Sequence, residues 1–429
     1  MADQSINMEA VETLHFAGQS RDRITPQGIG FSGLAGFFVA WGLTNWLHMG
    51  SPTFLLLVFI GFIALPMTFL SVFFNQTHLR KSSGLLDRGC PIHWQRIRLK
   101  IVGFLLTLTI LASIYRLFSV EYGRGFYHPV WNVFAILACS VLLLGLPYVL
   151  WVDRRMVEPL DGYYHLGMLA SGRWREVDFQ LLKNHALGWI IKGFFLPFML
   201  AGAADHLNWL HKEEIKFANF TFLYLTLLNF LFTIDVLLGA IGYLLTLRVT
   251  DSHIASTEPT CLGWASALIC YPPFSTCFLG KFFSYKGTIN WQDLTATQPV
   301  LFVTWGYGIL LLYVIYVWAT LSFGCRFSNL TNRGIIDDGP YRYTKHPAYL
   351  AKCLAWWMAS LPFLVHGTFY GNFRATFCLF FITTIYTIRA GTEERHLMRD
   401  PAYRKYCEWM KENGVFAPID KKLKQWRWT

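Results

Sequence analysis

The stretch from Asp337 to Ala351 reads Asp-Asp-Gly-Pro-Tyr-Arg-Tyr-Thr-Lys-His-Pro-Ala-Tyr-Leu-Ala. Acids, bases and phenols crowd together there, and an apolar segment starts immediately after the His-Pro pair. On the far side of the next apolar segments a second polar cluster begins at Arg389 and continues as Glu393-Glu394-Arg395-His396. Two charged clusters at the ends of a helical hairpin can fold together over that hairpin. The product is a pocket for a charged small molecule at the depth where lipid begins.

The elements that must hold such clusters are membrane helices. Of the 429 residues, 54% are hydrophobic and only 15% charged, with a mean hydropathy of +0.36. A soluble chain of this size averages about 25% charged residues. Apolar runs recur along the chain, each long enough to cross about 30 Å of hydrocarbon. Lipid leaves backbone groups no partner outside the segment, so only helices or closed barrels can span it, and the alternation of a barrel is absent. An all-α, polytopic transmembrane helix bundle is expected. The stretch Met1 to Gln27 is polar and shows no short apolar core with a cleavage site, so no cleaved signal peptide is expected.

The net charge of +11 raises the question of nucleic acid. The basic residues sit in loops beside apolar segments, however, which favours a topological origin and no nucleic-acid partner. The nine cysteines lack metal-ligand spacing. Cys139, Cys270, Cys353 and Cys378 fall inside apolar runs, where buried free thiols, rather than a metal site, are expected.

Ten candidate spans read near 31–48, 53–74, 101–118, 130–151, 186–204, 218–246, 261–279, 299–323, 347–366 and 372–389. The seventh is interrupted by Pro272-Pro273. With ten crossings both termini share one side, which carries roughly 28 Lys and Arg against about 7 opposite and is therefore expected to be cytoplasmic. Arg326 and Arg333 belong to that positive-inside charge. A change in character near residue 295 divides the chain into an N-terminal bundle, 1–295, and a C-terminal unit, 296–429, that ends in a charged helical tail. Leu397, Met398, Tyr403 and Tyr406 can line one face of an interfacial helix. Lys421 to Trp428 reads either as a basic-aromatic anchor to anionic headgroups or as a solvated end.

On the segment Gly339-Pro340-Tyr341-Arg342-Tyr343-Thr344-Lys345-His346-Pro347-Ala348-Tyr349-Leu350, followed by Glu393-Glu394, Leu397 and Tyr403 to Tyr406, the C-terminal third resembles the isoprenylcysteine carboxyl methyltransferase family. That family of integral membrane enzymes also takes in phospholipid methyltransferases. The resemblance covers about residues 300–418. It departs from the family's usual form at Lys345, where Arg is commonest, and at Ala351, where Gly is commonest. Lys345 keeps the charge but not the two-pronged geometry of a guanidinium.

The resemblance implies S-adenosylmethionine as cofactor, enclosed by Tyr341, Arg342, His346, Pro347, Tyr349, Arg389, Glu393 and Glu394. Methyl transfer from a sulfonium is an in-line displacement that needs no metal. Holding donor and acceptor at about 3–3.5 Å can supply roughly 7–11 kcal/mol. Glu393 and Glu394 suit ribose hydroxyls or the amino group of the methionine moiety, and His346 with Arg342 or Lys345 suits its carboxylate. Tyr341, Tyr343 and Tyr349 can stack on adenine or face the sulfonium, a contact worth about 0.5–2 kcal/mol. The expected acceptor is a lipid or lipid-like molecule entering from the bilayer, methylated on a carboxylate, amine or thiol. No catalytic residue is assigned. A bacterial inner membrane or an endoplasmic reticulum, with the site facing the cytoplasm, fits equally. An NADPH-dependent sterol reductase is a second reading, although its Asn and acid are missing where this chain has Pro347 and Ala351-Lys352. A non-enzymatic transporter or assembly factor is a third.

Two charges fall within apolar segments, Lys192 and Asp235, and a third acid, Glu258, precedes Pro259 near the broken seventh segment. Charges within a span cost about 2.5–3.5 kcal/mol each and tend to face the interior in pairs. Lys192 and Asp235 are therefore expected to pair, and with Glu258 they are candidate contacts for the acceptor.

Overall fold

The computed structural model describes residues 24–122, 125–212, 219–285, 287, 289–364 and 367–418. Most of the polar N-terminal stretch and the whole Lys421 to Trp428 segment lie outside the described residues. Helices of eight or more residues dominate: α1 (Pro26–Trp46), α2 (Pro52–Phe69), α3 (Trp94–Leu117), α4 (His128–Asp153), α5 (Gly162–Ala170), α6 (Phe179–Lys212), α7 (Phe220–Leu244), α8 (Cys261–Leu268), α9 (Pro299–Leu321), α10 (Pro347–Ser360), α11 (Phe369–Leu397) and α12 (Pro401–Asn413). The protein is an all-α, polytopic membrane helix bundle. Proline at the first turn opens α1, α2, α9, α10 and α12, where its missing N–H costs nothing. Side chains cap other free amides: Asn219 accepts from Phe222 at 2.9 Å, and Thr368 from Gly371 at 3.2 Å.

Among the described residues seven helices are long and apolar enough to cross a membrane: Pro52–Phe74, Trp94–Leu117, Gly125–Asp153, Phe179–Lys212, Phe220–Leu244, Pro299–Leu321 and Phe369–Leu397. The other three segments read from the sequence behave differently. The seventh breaks after α8, and helical structure resumes only at Ser275–Leu279 beyond the proline pair. The ninth becomes α10, whose 14 residues end at Leu361 in the left-handed conformation (φ 39°). Its length of about 21 Å, at 1.5 Å per residue, falls short of the hydrocarbon thickness. The first forms α1, 21 residues long but diluted by glycine.

Those glycines allow close approach. A Cβ on Gly36 would meet the Phe62 carbonyl oxygen at 1.9 Å, and one on Gly30 would meet that of Leu321 at 2.0 Å. Small residues let helix backbones touch, which replaces the hydrophobic driving force that lipid cannot supply. Gly36→Val is expected to cost about 3 kcal/mol, the upper end of overpacking penalties. A thermal-unfolding scan in detergent measures this against Gly42→Ala, whose added methyl meets nothing within 4 Å.

The largest core runs across residue 295, joining Phe37, Phe59, Phe195 and Leu237 to Val317 and Leu321 of α9. A two-residue antiparallel pair, Ser256–Thr257 with Thr331–Asn332, ties the connector after α7 to the connector between α9 and α10. Of the four thiols expected to be buried, Cys378 is buried, Cys270 and Cys353 are half-buried, and Cys139 is exposed.

Candidate active site

The connector from α9 to α10 carries the first polar cluster, and the last turns of α11 carry the second. Tight turns at Gly334 (φ 96°) and Gly339 (φ 57°) fold the connector back over the helix ends. Its short helical turn Gly339–Arg342 leads to His346, which occupies the N-cap position of α10 with Pro347 at the first turn. On α10, Tyr349, Lys352 and Trp356 follow one another at helical spacing. So do Tyr386, Arg389 and Glu393 on α11. The two faces meet.

Glu394 lies between Lys345 and His346. Its Oε2 is 2.5 Å from Lys345 Nζ and its Oε1 is 2.9 Å from His346 Nε2. Glu393 accepts from the Tyr349 hydroxyl and from Arg389 Nε at 3.3 Å. The Arg389 guanidinium, 3% exposed, also donates to Asn329 Oδ1 at 2.7 Å and lies 5.2 Å from the Tyr349 ring centroid. His346 and Tyr349 stack with their rings 5.7 Å apart and 6° from parallel. The tail closes over this arrangement, because Tyr406 donates to the Tyr341 carbonyl at 2.7 Å and Val415 N–H to that of Tyr343 at 2.9 Å. Asp400 holds the tail helix in register, capping Ala402 N–H and accepting from Asn332, both at 2.9 Å. Burial pushes the phenols of Tyr403 and Tyr406 upward, and burial followed by the charge of Glu393 does the same for Tyr341. All three stay neutral.

A cavity of about 170 Å³ lies inside this clasp. Tyr341, His346, Tyr349, Arg389 and Glu393 line it, and Glu394 adjoins it through Lys345 and His346, which also line it. Two of the expected residues are elsewhere: Arg342 is exposed and Pro347 is buried, neither in the cavity wall. Lys345, three residues beyond Arg342, reaches Glu394 in its place.

The expected pair of intramembrane charges does not form. Asp235 accepts from Tyr316 at 2.7 Å and Thr320 at 2.6 Å, and Lys192 Nζ lies 3.6 Å from the Trp189 ring centroid. Neutral hydroxyls from α9 reach Asp235 first, and an indole face takes the ammonium instead of a carboxylate. Neither residue lines the cavity, although Tyr316 and Thr320 do. Glu258 does line it, bonded to the Thr260 hydroxyl and N–H and 3.7 Å from His396 Nδ1.

Arg333 is likewise not a loop cation facing lipid headgroups. It is 4% exposed, and its guanidinium donates to the carbonyls of Ser252, Gly242, Phe327 and Cys325 at 2.5–3.0 Å. Burial pushes its pKa down to about 9. Arg326 is held by the Asp251 carboxylate at 2.8 Å. Sequence reasoning also passed over Tyr271, Tyr316, Lys352 and Tyr386 in the cavity wall. Helical spacing from Tyr349 to Lys352, and from Tyr386 to Arg389, was the signal available for two of them; nothing marked Tyr271 and Tyr316.

Residues 300–399 match the family model of the isoprenylcysteine carboxyl methyltransferases, a family of membrane methyltransferases. The match takes in both arms of the site, from the His-Pro turn to Glu393 and Glu394, and stops before Tyr403 and Tyr406. No curated protein and no solved structure matches the chain.

Proposed function

We propose that this protein transfers a methyl group from S-adenosylmethionine to a lipid or lipid-like acceptor at the membrane interface. The observation that carries this reading is the paired network beside the cavity: a carboxylate, Glu394, clamped between Lys345 and His346. The methionine moiety of the donor is a zwitterion, so it can enter such a network without leaving a charge unpaired. Glu394 would take its ammonium, and Lys345 and His346 its carboxylate. The donor set therefore fits the group.

When bound, S-adenosylmethionine would supply a methyl carbon on a positive sulfur, the acceptor atom forming its bond to that carbon while the sulfur–carbon bond breaks and leaves its electron pair on sulfur. A neutral amine or thiol acceptor also releases a proton, whereas a carboxylate does not. The chain contributes position and shielding. Tyr349 and Tyr386 present ring faces of the kind that favour a sulfonium. The clasp of α12 over the connector partly shields the site, which strengthens the charge interactions inside. The division into an N-terminal bundle, 1–295, and a donor-binding unit, 296–429, belongs to the same proposal. So does a cytoplasmic-facing site in a bacterial inner membrane or endoplasmic reticulum, for which the asymmetry of Lys and Arg is the support.

Calorimetry of the purified, folded protein with S-adenosylmethionine is expected to show one saturable site. Lipid extracts from cells with and without the protein should then differ by a species about 14 daltons heavier, one added CH₂. A folded sample that takes up no donor would end this reading.

A further inference from the structure

Most charged side chains in the cavity wall are matched within the protein. Lys345 and His346 share Glu394, Arg389 has Glu393 and Asn329, and Arg333 has four carbonyls. Glu258 is matched on one oxygen only. Its Oε1 accepts from both the N–H and the hydroxyl of Thr260. Its Oε2 has His396 Nδ1 at 3.7 Å, too long for a hydrogen bond, and no closer donor among the described residues. The other ring nitrogen of His396, Nε2, meets the Ser256 hydroxyl at 2.9 Å. The Thr331 hydroxyl, a buried oxygen of a residue in the same wall, also lacks a hydrogen-bond partner among the described residues.

Burial gives the unfilled oxygen its weight. Glu258 is 3% exposed, and a carboxylate oxygen taken out of water without a donor is costly. Nor is Glu258 free to swing elsewhere. Its N–H donates to the Leu330 carbonyl at 2.8 Å, its own carbonyl accepts from Trp264 Nε1 at 2.9 Å, and a Cβ on Gly263 would meet its carboxyl carbon at 2.5 Å. The short strand pair sets Thr331 opposite Thr257, the residue before Glu258. A fixed acceptor and an unengaged hydroxyl, on two residues of one cavity wall, form a preorganised site for a ligand that donates hydrogen bonds.

The place of this subsite in the fold identifies its occupant. Arg389, Glu393 and His396 follow one another on one face of α11, and His396 lies about 4.5 Å along the axis beyond Glu393, at the polar end of the helix. Glu394, assigned above to the methionine ammonium, is two residues from His396. The part of S-adenosylmethionine joined to its methionine moiety is adenosine, whose ribose carries two adjacent hydroxyls. Two hydroxyls suit two protein oxygens, whereas the exocyclic amine of adenine offers a single nitrogen. We propose that Glu258 Oε2 and the Thr331 hydroxyl hold the ribose diol of the methyl donor, with His396 as the positioning residue behind Glu258. Glu258 belongs to the connector before α8, outside the family-matched residues 300–399, so the N-terminal part of the chain completes the donor pocket. This rests on the methyl-transfer reading for the identity of the ligand.

The test is calorimetry on the full chain in detergent with S-adenosylhomocysteine, the donor without its methyl group, and with its 2′-deoxy, 3′-deoxy and inosine analogues. In the wild type, loss of the hydroxyl that meets Glu258 is expected to weaken binding about tenfold or more, as for a hydrogen bond to a charged group. Glu258→Gln should weaken the parent compound by a similar factor but that deoxy analogue by less than about twofold, because both changes remove one shared contact. Thr331→Val should abolish the penalty for the other missing hydroxyl, and it decides the matter alongside the wild-type series if Glu258→Gln fails to fold. A merely structural Glu258 would lower affinity for every analogue alike. That result overturns the proposal, as does a wild type indifferent to both hydroxyls, the outcome if only water meets the carboxylate. Coupling of Glu258 to the inosine analogue instead also overturns it, since the exocyclic amine would then be the partner. In each of these cases the parent compound still binds and the methyl-transfer reading stands. A folded wild type that takes up none of the four compounds ends both.

Discussion

Glu394→Gln is expected to weaken S-adenosylmethionine binding by roughly 10–150-fold, about 1.5–3 kcal/mol, the value of a hydrogen bond to a charged group. The substitution preserves size and one acceptor oxygen but removes the negative charge that Lys345 and His346 both face. Lys345 at 2.5 Å and His346 at 2.9 Å would then face each other across a neutral amide. With donor bound, the ammonium of its methionine moiety would lose its counter-charge as well. Methyl transfer should fall at least as far at sub-saturating donor, and adding donor should restore part of it. Arg395→Gln is the control, since Arg395 neighbours Glu394 in sequence yet points to solvent. Calorimetry on monodisperse protein decides the matter: wild-type affinity in Glu394→Gln would falsify the role given to this carboxylate.

Arg333→Met should be the most damaging change to the fold itself. The guanidinium gathers four backbone carbonyls from three separate places: the end of α7, the connector at Ser252, and the turn after α9. Methionine fills much of the volume but donates nothing, and each buried carbonyl left without a donor costs about 1–3 kcal/mol. Even with some relaxation the total is expected to reach about 3–5 kcal/mol, comparable to breaking a buried ion pair. Protein yield and the thermal midpoint in detergent should both fall sharply. Arg333→Lys should recover little, because one ammonium cannot reach four carbonyls spread around a planar fork. A midpoint unchanged in Arg333→Met would show that these carbonyls find other partners and that the clamp contributes nothing.

These two residues also mark how far the sequence could be read. Glu394 was legible because the acids, the His-Pro turn and the spacing between them are local features that lie on the page together. Arg333 was not: in the sequence it is one more basic residue beside a membrane segment, and only folding brings the four carbonyls around it. The seven long apolar helices could be read from run length alone, since hydrocarbon thickness sets their size. The short α10 and the broken segment after α8 could not, because whether an apolar run spans or stops halfway depends on what its neighbours cover.

Asp235 and Lys192 show the same limit from the other side. Rules for membrane charges say that each needs a partner, and on those rules alone the two are paired with each other. Rotation of α7 against α9 decided otherwise, giving Asp235 two hydroxyls from a helix about eighty positions downstream. By itself, then, the chain's order of residues determined a helical membrane protein with two polar clusters at a helix-pair terminus, because hydrophobic length and local spacing are one-dimensional quantities. Which cations face the cavity, which stay bare and which serve as clamps is set by helix rotation and loop closure, and those exist only in three dimensions.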